Sequence, residues 1–326
     1  MAVKFGVIVP QGWRQDLVSI PDPVEKYETM TRAAQEAERL GYDSIWLYDH
    51  FHTVPTPELE TNFECWTATA GLARDTKTIR VGQLVTCNNY RNPALLAKIA
   101  STVDVMSHGR LDFGIGAGWK EDEYLAYGYP FPDGPERLRQ LGEALQVIRA
   151  MWTEDYATYE GQYYQLRGAI NEPKGVQKPH PPLWVGGSGE KVTLKLVAKY
   201  ADACNITARD PAMCRHKFDV LREHCAKLGR DYNSIIKSNH IFMYLLEPGQ
   251  SPDDAVRDAR RLAKSDEPTL ESLHKTNIIG TAEEAIPVLQ QLVAAGTEYF
   301  VIYFRNNLAN LKSYQIFADK IMPAFR

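Results

Sequence analysis

The most constraining feature of this sequence is the alternation of short apolar runs with longer segments of helical period. Short runs rich in β-branched side chains predict strands, whereas apolar side chains at three- and four-residue steps predict helices. The predicted strands are 4–9, 44–48, 79–86, 111–116, 183–185, 203–206, 241–246 and 299–304. Strands that alternate with helices form parallel βα units, and eight such units close into a barrel. We therefore predict an α/β fold, a (β/α)8 TIM barrel.

Local end signals support several of the predicted helices. Asp22-Pro23-Val24-Glu25 has the pattern of an N-cap, a first-turn proline and a capping-box glutamate. Asn92-Pro93 opens a later helix in the same way, and Thr281 with Glu284 forms a second predicted capping box. These signals place helix starts soon after predicted strands, as a barrel requires.

Two irregular segments interrupt the rhythm, near 154–182 and 247–275. The first is rich in aromatic residues and proline and is too long for an ordinary connection. The second contains an amphipathic piece that is either a mobile lid over the site or an extra packed helix. Because no linker separates two halves, we interpret 1–326 as a single barrel domain with two insertions.

Charge and cysteine content exclude several classes of protein. The chain has 37 Lys and Arg against 41 Asp and Glu, a net charge of −4, and no long run of like charges, so we expect neither nucleic-acid nor membrane-surface binding. No apolar stretch predicts a signal peptide or a membrane span, and we expect a cytoplasmic protein. The five cysteines show no paired spacing. We expect reduced thiols, with Cys87 of interest because it follows a strand.

Residues that follow the strands of such a barrel share one mouth. The polar and aromatic residues at these positions are Gln11, Asp49, His50, His52, Cys87, Asn88, Asn89, Trp119, Glu123, Ser188, Thr207 and Arg305. A histidine such as His50 can move a proton, although a histidine here can also simply bond a loop carbonyl. Neighbours on an extended strand alternate in direction, so Asp49, His50 and His52 cannot all reach one ion, and we expect no metal.

Two glycine-rich segments end the fourth and fifth predicted strands. They are Gly114-Ile115-Gly116-Ala117-Gly118-Trp119 and Gly186-Gly187-Ser188-Gly189. The second precedes a helix, where backbone N–H groups form a natural phosphate cradle. The first lacks the spacing of a dinucleotide-binding turn. For either segment, tight strand–helix packing is an equally good explanation.

Three longer segments together resemble the bacterial luciferase-like superfamily, and in particular its branch dependent on the deazaflavin coenzyme F420. They are GYDSIWLYDHF (41–51), VGQLVTCNNYRNPALLAK (81–98) with GRLDFGIGAGW (109–119), and PPLWVGGSGEKVTLKLVAKYADACN (181–205). The resemblance implies that Asp49 and His50 lie at the cofactor, with His50 near its reactive face. It also implies that a bulge at Gln83, Leu84 and Val85 supports the ring, often through a non-prolyl cis peptide. The phosphate-side residues it implies are Ala117, Gly118, Gly186, Gly187 and Ser188.

The chain departs from the sugar-phosphate dehydrogenases of that branch at two positions, where Val54 and Trp119 replace a tryptophan and a glutamate. This argues against the sugar-phosphate reaction, although Glu123, about one helical turn on, is a candidate catalytic carboxylate. The leading hypothesis is an F420-dependent oxidoreductase that transfers a hydride between the deazaflavin and a small-molecule substrate, with His50 as proton partner. The alternatives are an FMN-dependent monooxygenase and a non-catalytic ligand-binding barrel. We expect a homodimer.

Overall fold

Eight parallel strands form a closed barrel in the computed structural model, which describes residues 2–305 and 311–326. In order around the barrel the strands are β1, β2, β3, β5, β8, β9, β10 and β12, and β10 pairs with β9 to close it. The strands are β1 (Lys4–Ile8), β2 (Ser44–Leu47), β3 (Arg80–Gln83), β4 (Thr86–Cys87), β5 (Leu111–Gly116), β6 (Ala157–Glu160), β7 (Gln165–Ala169), β8 (Leu183–Gly186), β9 (Ala203–Ile206), β10 (Ile236–Leu245), β11 (Asn277–Gly280) and β12 (Tyr299–Phe304). The predicted TIM barrel is confirmed.

Helices surround this barrel and cover its strands. They are α1 (Pro23–Arg39), α2 (Cys65–Asp75), α3 (Pro93–Met106), α4 (Glu121–Ala126), α5 (Gly134–Thr153), α6 (Thr193–Tyr200), α7 (Pro211–Leu228), α8 (Pro252–Ala263), α9 (Leu270–His274), α10 (Ala282–Ala294) and α11 (Lys312–Ile316). In the described ranges, no helix is both long and apolar enough to cross a membrane.

The predicted helix caps are mostly as expected. The Asp22 carboxylate accepts a hydrogen bond from the Glu25 N–H at 2.9 Å, and Pro23 begins α1. The capping box of Thr281 and Glu284 is present in full. At α1, however, the Glu25 side chain pairs with Arg32 instead of bonding back to the cap. The predicted capping box is therefore a simple N-cap at this helix.

The third predicted strand, 79–86, is divided in two. β3 ends at Gln83, β4 begins at Thr86, and the peptide bond between Leu84 and Val85 is a non-prolyl cis bond. The bulge and its cis bond thus lie where the family resemblance implied. Because β4 pairs with β5 through Thr86 and Ile115, the bulge leaves the barrel closed on either side of it.

The predicted strand 241–246 is longer than its apolar run suggested. β10 already begins at Ile236, and its first half, which includes Ser238 and His240, pairs with β9 and β12. Because these polar side chains precede the apolar run, the sequence did not indicate that the strand begins at Ile236. β11, which was not predicted, extends the sheet outside the barrel by pairing with the end of β10.

The two irregular segments contain structure of their own. Residues 154–182 hold the antiparallel hairpin of β6 and β7, whose turn is anchored because Glu143 of α5 accepts hydrogen bonds from the N–H groups of residues 162–164. Residues 247–275 hold α8 and α9. The Tyr244 hydroxyl donates to Asp258 of α8 at 2.7 Å, and Lys264 pairs with Glu58 of the loop after β2. Helix α8 is thus bonded both to the sheet and to that loop.

Candidate active site

A cavity of about 470 Å³ opens at the carboxyl ends of the barrel strands, and we call it the main cavity. Most of the residues implied by the family resemblance line it. These are Asp49, His50, Leu84, Val85, Ala117, Gly118, Gly186, Gly187 and Ser188. Of the residues predicted to be catalytic or cofactor-binding, Gln83 and Glu123 do not line it, since Gln83 is fully buried and Glu123 lies behind His50. Among the other residues predicted at the barrel mouth, the cavity is lined by Cys87, Trp119 and Thr207 but not by Gln11, His52, Asn88, Asn89 and Arg305. Within the described ranges, no group of three or more His, Cys, Asp or Glu side chains is arranged to hold a metal ion.

His50, just beyond β2, is held on two sides. Its Nδ1 lies 2.7 Å from Oε2 of Glu123, and its ring stacks on Trp13 with centroids 4.2 Å apart and planes 2° apart. The side chain is 12% exposed, so little of the ring remains accessible. Since Nε2 has no hydrogen-bond partner among the described residues, that atom is available to a ligand in the main cavity.

Glu123, on α4, is the buried acceptor that orients this histidine. Its Oε1 accepts the N–H groups of Phe51 and His52 at 3.1 and 3.0 Å, and its Oε2 accepts the Tyr90 hydroxyl at 2.9 Å as well as His50. Burial opposes ionisation, but the bonds from His50, His52 and Tyr90 outweigh it and lower the pKa of Glu123 below its ordinary value. An ionised Glu123 accepts a hydrogen, so His50 carries one on Nδ1.

Asp49 is committed to protein groups. Its carboxylate accepts the Cys87 N–H at 2.8 Å and forms a bidentate pair with Arg91 at 2.7 and 3.0 Å. These bonds tie the end of β2 to β4 and to the start of α3. Asp49, which the family resemblance implied at the cofactor, thus lines the main cavity, and its carboxylate oxygens form hydrogen bonds within the cavity wall.

Cys87 also lines the main cavity, but it is not poised for reaction. Its Sγ lies 2.9 Å from the Tyr124 hydroxyl, and burial raises the pKa of the thiol to about 12. A thiol that stays protonated at neutral pH is a poor nucleophile. Cys87 is therefore a packing residue in the wall. The other cysteines are buried and unbridged as well.

The glycine-rich segments make room for the bulge of Val85. A methyl group on Gly116 would lie 2.8 Å from Cγ2 of Val85, and one on Gly186 would lie 2.8 Å from its Cγ1. Real side chains do not approach so closely, so the bulge requires glycine on both neighbouring strands. At these two positions the packing explanation is correct. Gly187 differs, because its φ of +122° is a backbone conformation that favours glycine and it is exposed at the rim.

Two lysines, Lys191 and Lys195, follow the glycine turn after β8. Helix α6 begins at Thr193, so Lys191 lies in the preceding turn, whereas Lys195 is on the helix. Lys191 borders a shallow depression together with Ser188 and Lys217. Lys217 is paired with Glu190 at 2.5 Å. Lys191 and Lys195 are exposed and contribute positive charge near Ser188.

Sequence reasoning missed a polar pair on the opposite wall, Tyr48 and His240. The tyrosine hydroxyl lies 2.9 Å from His240 Nε2, and His240 Nδ1 lies 2.9 Å from the Val301 carbonyl. The carbonyl only accepts, so Nδ1 carries the hydrogen and Tyr48 donates to Nε2. Burial lowers the pKa of His240 to about 4 and keeps the ring neutral. The detectable signal was the alternation of Ser238, His240 and Phe242 along one face of β10.

Trp13 and Arg14 also line the main cavity and were missed. Both belong to the loop after β1, where the sequence has no regular period. Trp13 stacks on His50, and the Arg14 guanidinium lies 4.5 Å from the centre of the Trp13 ring. No pattern within this loop indicates that it folds back across the mouth of the barrel.

A closed parallel barrel with a cavity at the carboxyl ends of its strands is the architecture of a (β/α)8-barrel enzyme. Comparison with known protein families shows to which family of such barrels this chain belongs. A family model described as luciferase-like monooxygenase matches residues 3–297, so the chain belongs to this family of oxidoreductases. The resemblance seen in the sequence is confirmed.

Individual relatives use different cofactors. The oxygenase component of a flavin-dependent trigonelline monooxygenase from Acinetobacter baylyi is 25% identical, over 92% of this chain and 90% of the relative. An F420-dependent glucose-6-phosphate dehydrogenase from Microbacterium testaceum is 30% identical, over 61% of this chain and 59% of the relative. The solved structure of an F420-dependent secondary alcohol dehydrogenase with an F420–acetone adduct has a TM-score of 0.85 at 22% identity, with full coverage of both chains. At that identity the structural likeness concerns the fold.

Proposed function

We propose that this protein is an F420-dependent oxidoreductase that acts on a small organic substrate in the main cavity. The observation that carries the proposal is the His50–Glu123 pair, which presents one free imidazole nitrogen to a cavity of suitable size. The F420-dependent relatives support the choice of cofactor. When bound, the deazaflavin supplies or accepts a hydride.

The residues of the main cavity fit a planar ring with a phosphate-bearing tail. Val85 projects between Gly116 and Gly186 and forms an apolar platform on which a ring can rest. Gly187 and Ser188 lie at the rim before α6, where backbone N–H groups favour phosphate. Lys191 and Lys195 are exposed nearby and complement an anionic tail. We assign the ring to the side of Val85 and the tail to the side of Ser188.

His50 acts as the proton partner of the substrate. With Glu123 ionised beside Nδ1, a proton gained at Nε2 is stabilised by a buried opposite charge. His50 thus gives a proton to a substrate oxygen during reduction and takes one during oxidation. Trp13 restrains the ring in the plane needed for that exchange.

A second candidate, an FMN-dependent monooxygenase, is favoured by the trigonelline monooxygenase relative, which matches most of this chain. The deciding experiment titrates the purified protein separately with F420, FMN and FAD and follows cofactor fluorescence. Saturable binding of F420 alone supports the proposal. Tight binding of FMN with no saturable response to F420 replaces it with the monooxygenase. Tight binding of either cofactor without turnover of any substrate would favour the non-catalytic barrel.

We also propose that residues 1–326 act as one barrel domain and that two copies form a homodimer. The first statement is supported by the closed barrel sheet, by the bond of the first irregular segment to α5, and by the bond of the second to β10. Size-exclusion chromatography with light scattering tests the second: a mass of twice 36.9 kDa is expected. A monomer at micromolar concentration would refute it.

A further inference from the structure

A second cavity, of about 210 Å³, adjoins the main cavity, and we call it the side cavity. Arg14 lines both cavities, so the two meet at this side chain. The charged residues around the side cavity are Arg14, Arg261, Arg305, Asp16 and Asp258. The side cavity is therefore lined by three arginines and two aspartates, although the whole chain has a net charge of −4.

The charges of the side cavity are unequally paired. Arg261 lies 3.8 Å from Asp258, with which it shares α8. Asp16 accepts the Gly12 N–H at 2.6 Å and the Tyr303 hydroxyl at 3.2 Å. Neither Arg14 nor Arg305 lies within the 4.0 Å ion-pair distance of a described carboxylate. With Arg261 and Asp258 paired, the two other guanidiniums face only the single negative charge of Asp16. One positive charge therefore remains in excess in the side cavity.

Unused hydrogen-bond donors accompany this excess charge. The Nε of Arg14 and the Nε2 of Gln15 are buried and have no partner among the described residues. Both residues line the side cavity. A buried donor without an acceptor is costly, and functional sites are where such groups persist. The side cavity is thus lined by two residues with unused donors, and an anion is the kind of ligand that supplies acceptors.

Aromatic rings hold the two guanidiniums in place. Both lie over Phe242, with the Arg14 carbon 4.7 Å and the Arg305 carbon 4.9 Å from the ring centre. Arg305 is also oriented because its Nε donates to Asn277 at 3.0 Å. Burial and the neighbouring Arg14 lower the pKa of Arg305 to about 10, so it remains protonated at neutral pH. Stacked guanidiniums keep their edge N–H groups free for an anion.

We propose that the side cavity binds the carboxylate of an organic-acid substrate between Arg14 and Arg305. The inference rests on the proposed function, since the rest of that substrate would extend past Trp13 into the main cavity. One excess positive charge matches a monoanion better than a phosphate dianion, which Asp16 would repel. Trp13 contacts both Arg14 and His50, and so the carboxylate group lies one aromatic ring away from the proton partner.

The test is a calorimetric titration of the cofactor-free protein with benzoate, benzamide and phenyl phosphate, and with hexanoate and hexanamide as an aliphatic pair. We expect the carboxylates to bind at least about tenfold more tightly than their amides, and phenyl phosphate to bind more weakly than benzoate. Arg14→Met and Arg305→Met should each raise the benzoate Kd by about tenfold or more. Arg261→Met, which loses an arginine already paired with Asp258, is the matched control and should change the Kd little.

Equal affinity for acids and amides in both pairs would overturn the inference, and so would unchanged benzoate binding in both arginine variants. Tighter binding of phenyl phosphate would reassign the side cavity to phosphate esters and refute the carboxylate. Thermal unfolding of each variant checks that it is folded at the temperature of the titration, so that a loss of benzoate binding reports on the side cavity and not on misfolding. F420 titration of Arg305→Met tests the proposed function independently. If the protein binds F420 but not benzoate, only the proposed carboxylate site is refuted. If it binds benzoate but not F420, only the proposed cofactor is refuted.

Discussion

His50 Nδ1 and Glu123 Oε2 lie 2.7 Å apart although 73 positions separate the two residues in the chain. The pair joins the end of β2 to α4 and is buried on the glutamate side. Its geometry fixes which nitrogen of the histidine faces the main cavity. The first two predictions below follow from this contact.

Replacing His50 with Asn should leave cofactor affinity nearly normal and reduce turnover by about a hundredfold or more, because the variant lacks the titrating ring. Steady-state kinetics and cofactor titration measure the two effects separately. His52→Asn is the control, since its ring does not line the main cavity. Unchanged turnover in His50→Asn would remove this residue from the mechanism.

Replacing Glu123 with Gln keeps the size of the side chain but removes the buried charge that stabilises protonated His50. We expect kcat to fall by about tenfold and its pH profile to shift to lower pH, since the histidine loses its anionic partner. The lowered pKa of Glu123 stabilises the folded wild type above the ordinary value of 4.5, and this contribution is lost as the pH falls through the lowered value. Urea unfolding across this range should therefore show a shallower pH dependence for the variant. Identical profiles for both proteins would contradict an ionised Glu123.

Replacing Gly186 with Ala should push Val85 out of position, since the new methyl group would lie 2.8 Å from it. Overpacking of this kind costs about 1–3 kcal/mol of folding stability. Because Val85 forms the proposed platform for the ring, its displacement should also raise the cofactor Kd, by about tenfold. Gly134→Ala, where no atom lies within 4 Å, is the matched control. Adding Val85→Ala to Gly186→Ala should restore part of the folding stability. No recovery in the double variant would show that the clash is not the cause.

The rim near α6 should distinguish the two cofactors. Replacing Ser188 with Leu should weaken F420 binding sharply by obstructing the turn, whereas Lys191→Ala and Lys195→Ala should weaken it modestly, and less so at high salt. Lys199→Ala, in the last turn of α6 and stacked on Tyr200, is the control. Fluorescence titrations at low and high ionic strength measure these effects. Salt-independent losses would argue against an electrostatic contact with the anionic tail.

The buried His240 predicts a specific pH dependence of stability. Its pKa is lowered by burial from 6.5 to about 4, so between these values the unfolded chain binds a proton that the folded chain does not. Its contribution to the free energy of unfolding is therefore complete above pH 6.5 and falls as the pH decreases toward about 4. Urea unfolding of the wild type and of His240→Asn over this window should give a shallower slope for the variant. Equal slopes would mean that folding does not lower the pKa of His240.

Much of the fold was predictable because each barrel element carries its own local signal. The strands ending at Leu47 and Gly116 were found from a few consecutive apolar residues. The first half of β10 was missed because it carries polar side chains, among them Ser238 and His240, and His240 lines a cavity that only the closed barrel creates. A short segment with several polar residues indicates a loop when only neighbouring positions are considered, and so the sequence did not predict a strand there.

By itself, the sequence determined the barrel, the family and the strand ends at which His50, Val85 and Gly187 gather, because periodicity and motif spacing are encoded by near neighbours. Only the tertiary structure decided that Glu123 bonds His50, that Gly186 is small to admit Val85, and that Arg14 lies beside Arg305 without a paired acid. Each of these relationships joins segments far apart in the chain. Barrel closure brings them together, and no local pattern records the distance between two side chains that meet only when the sheet is complete.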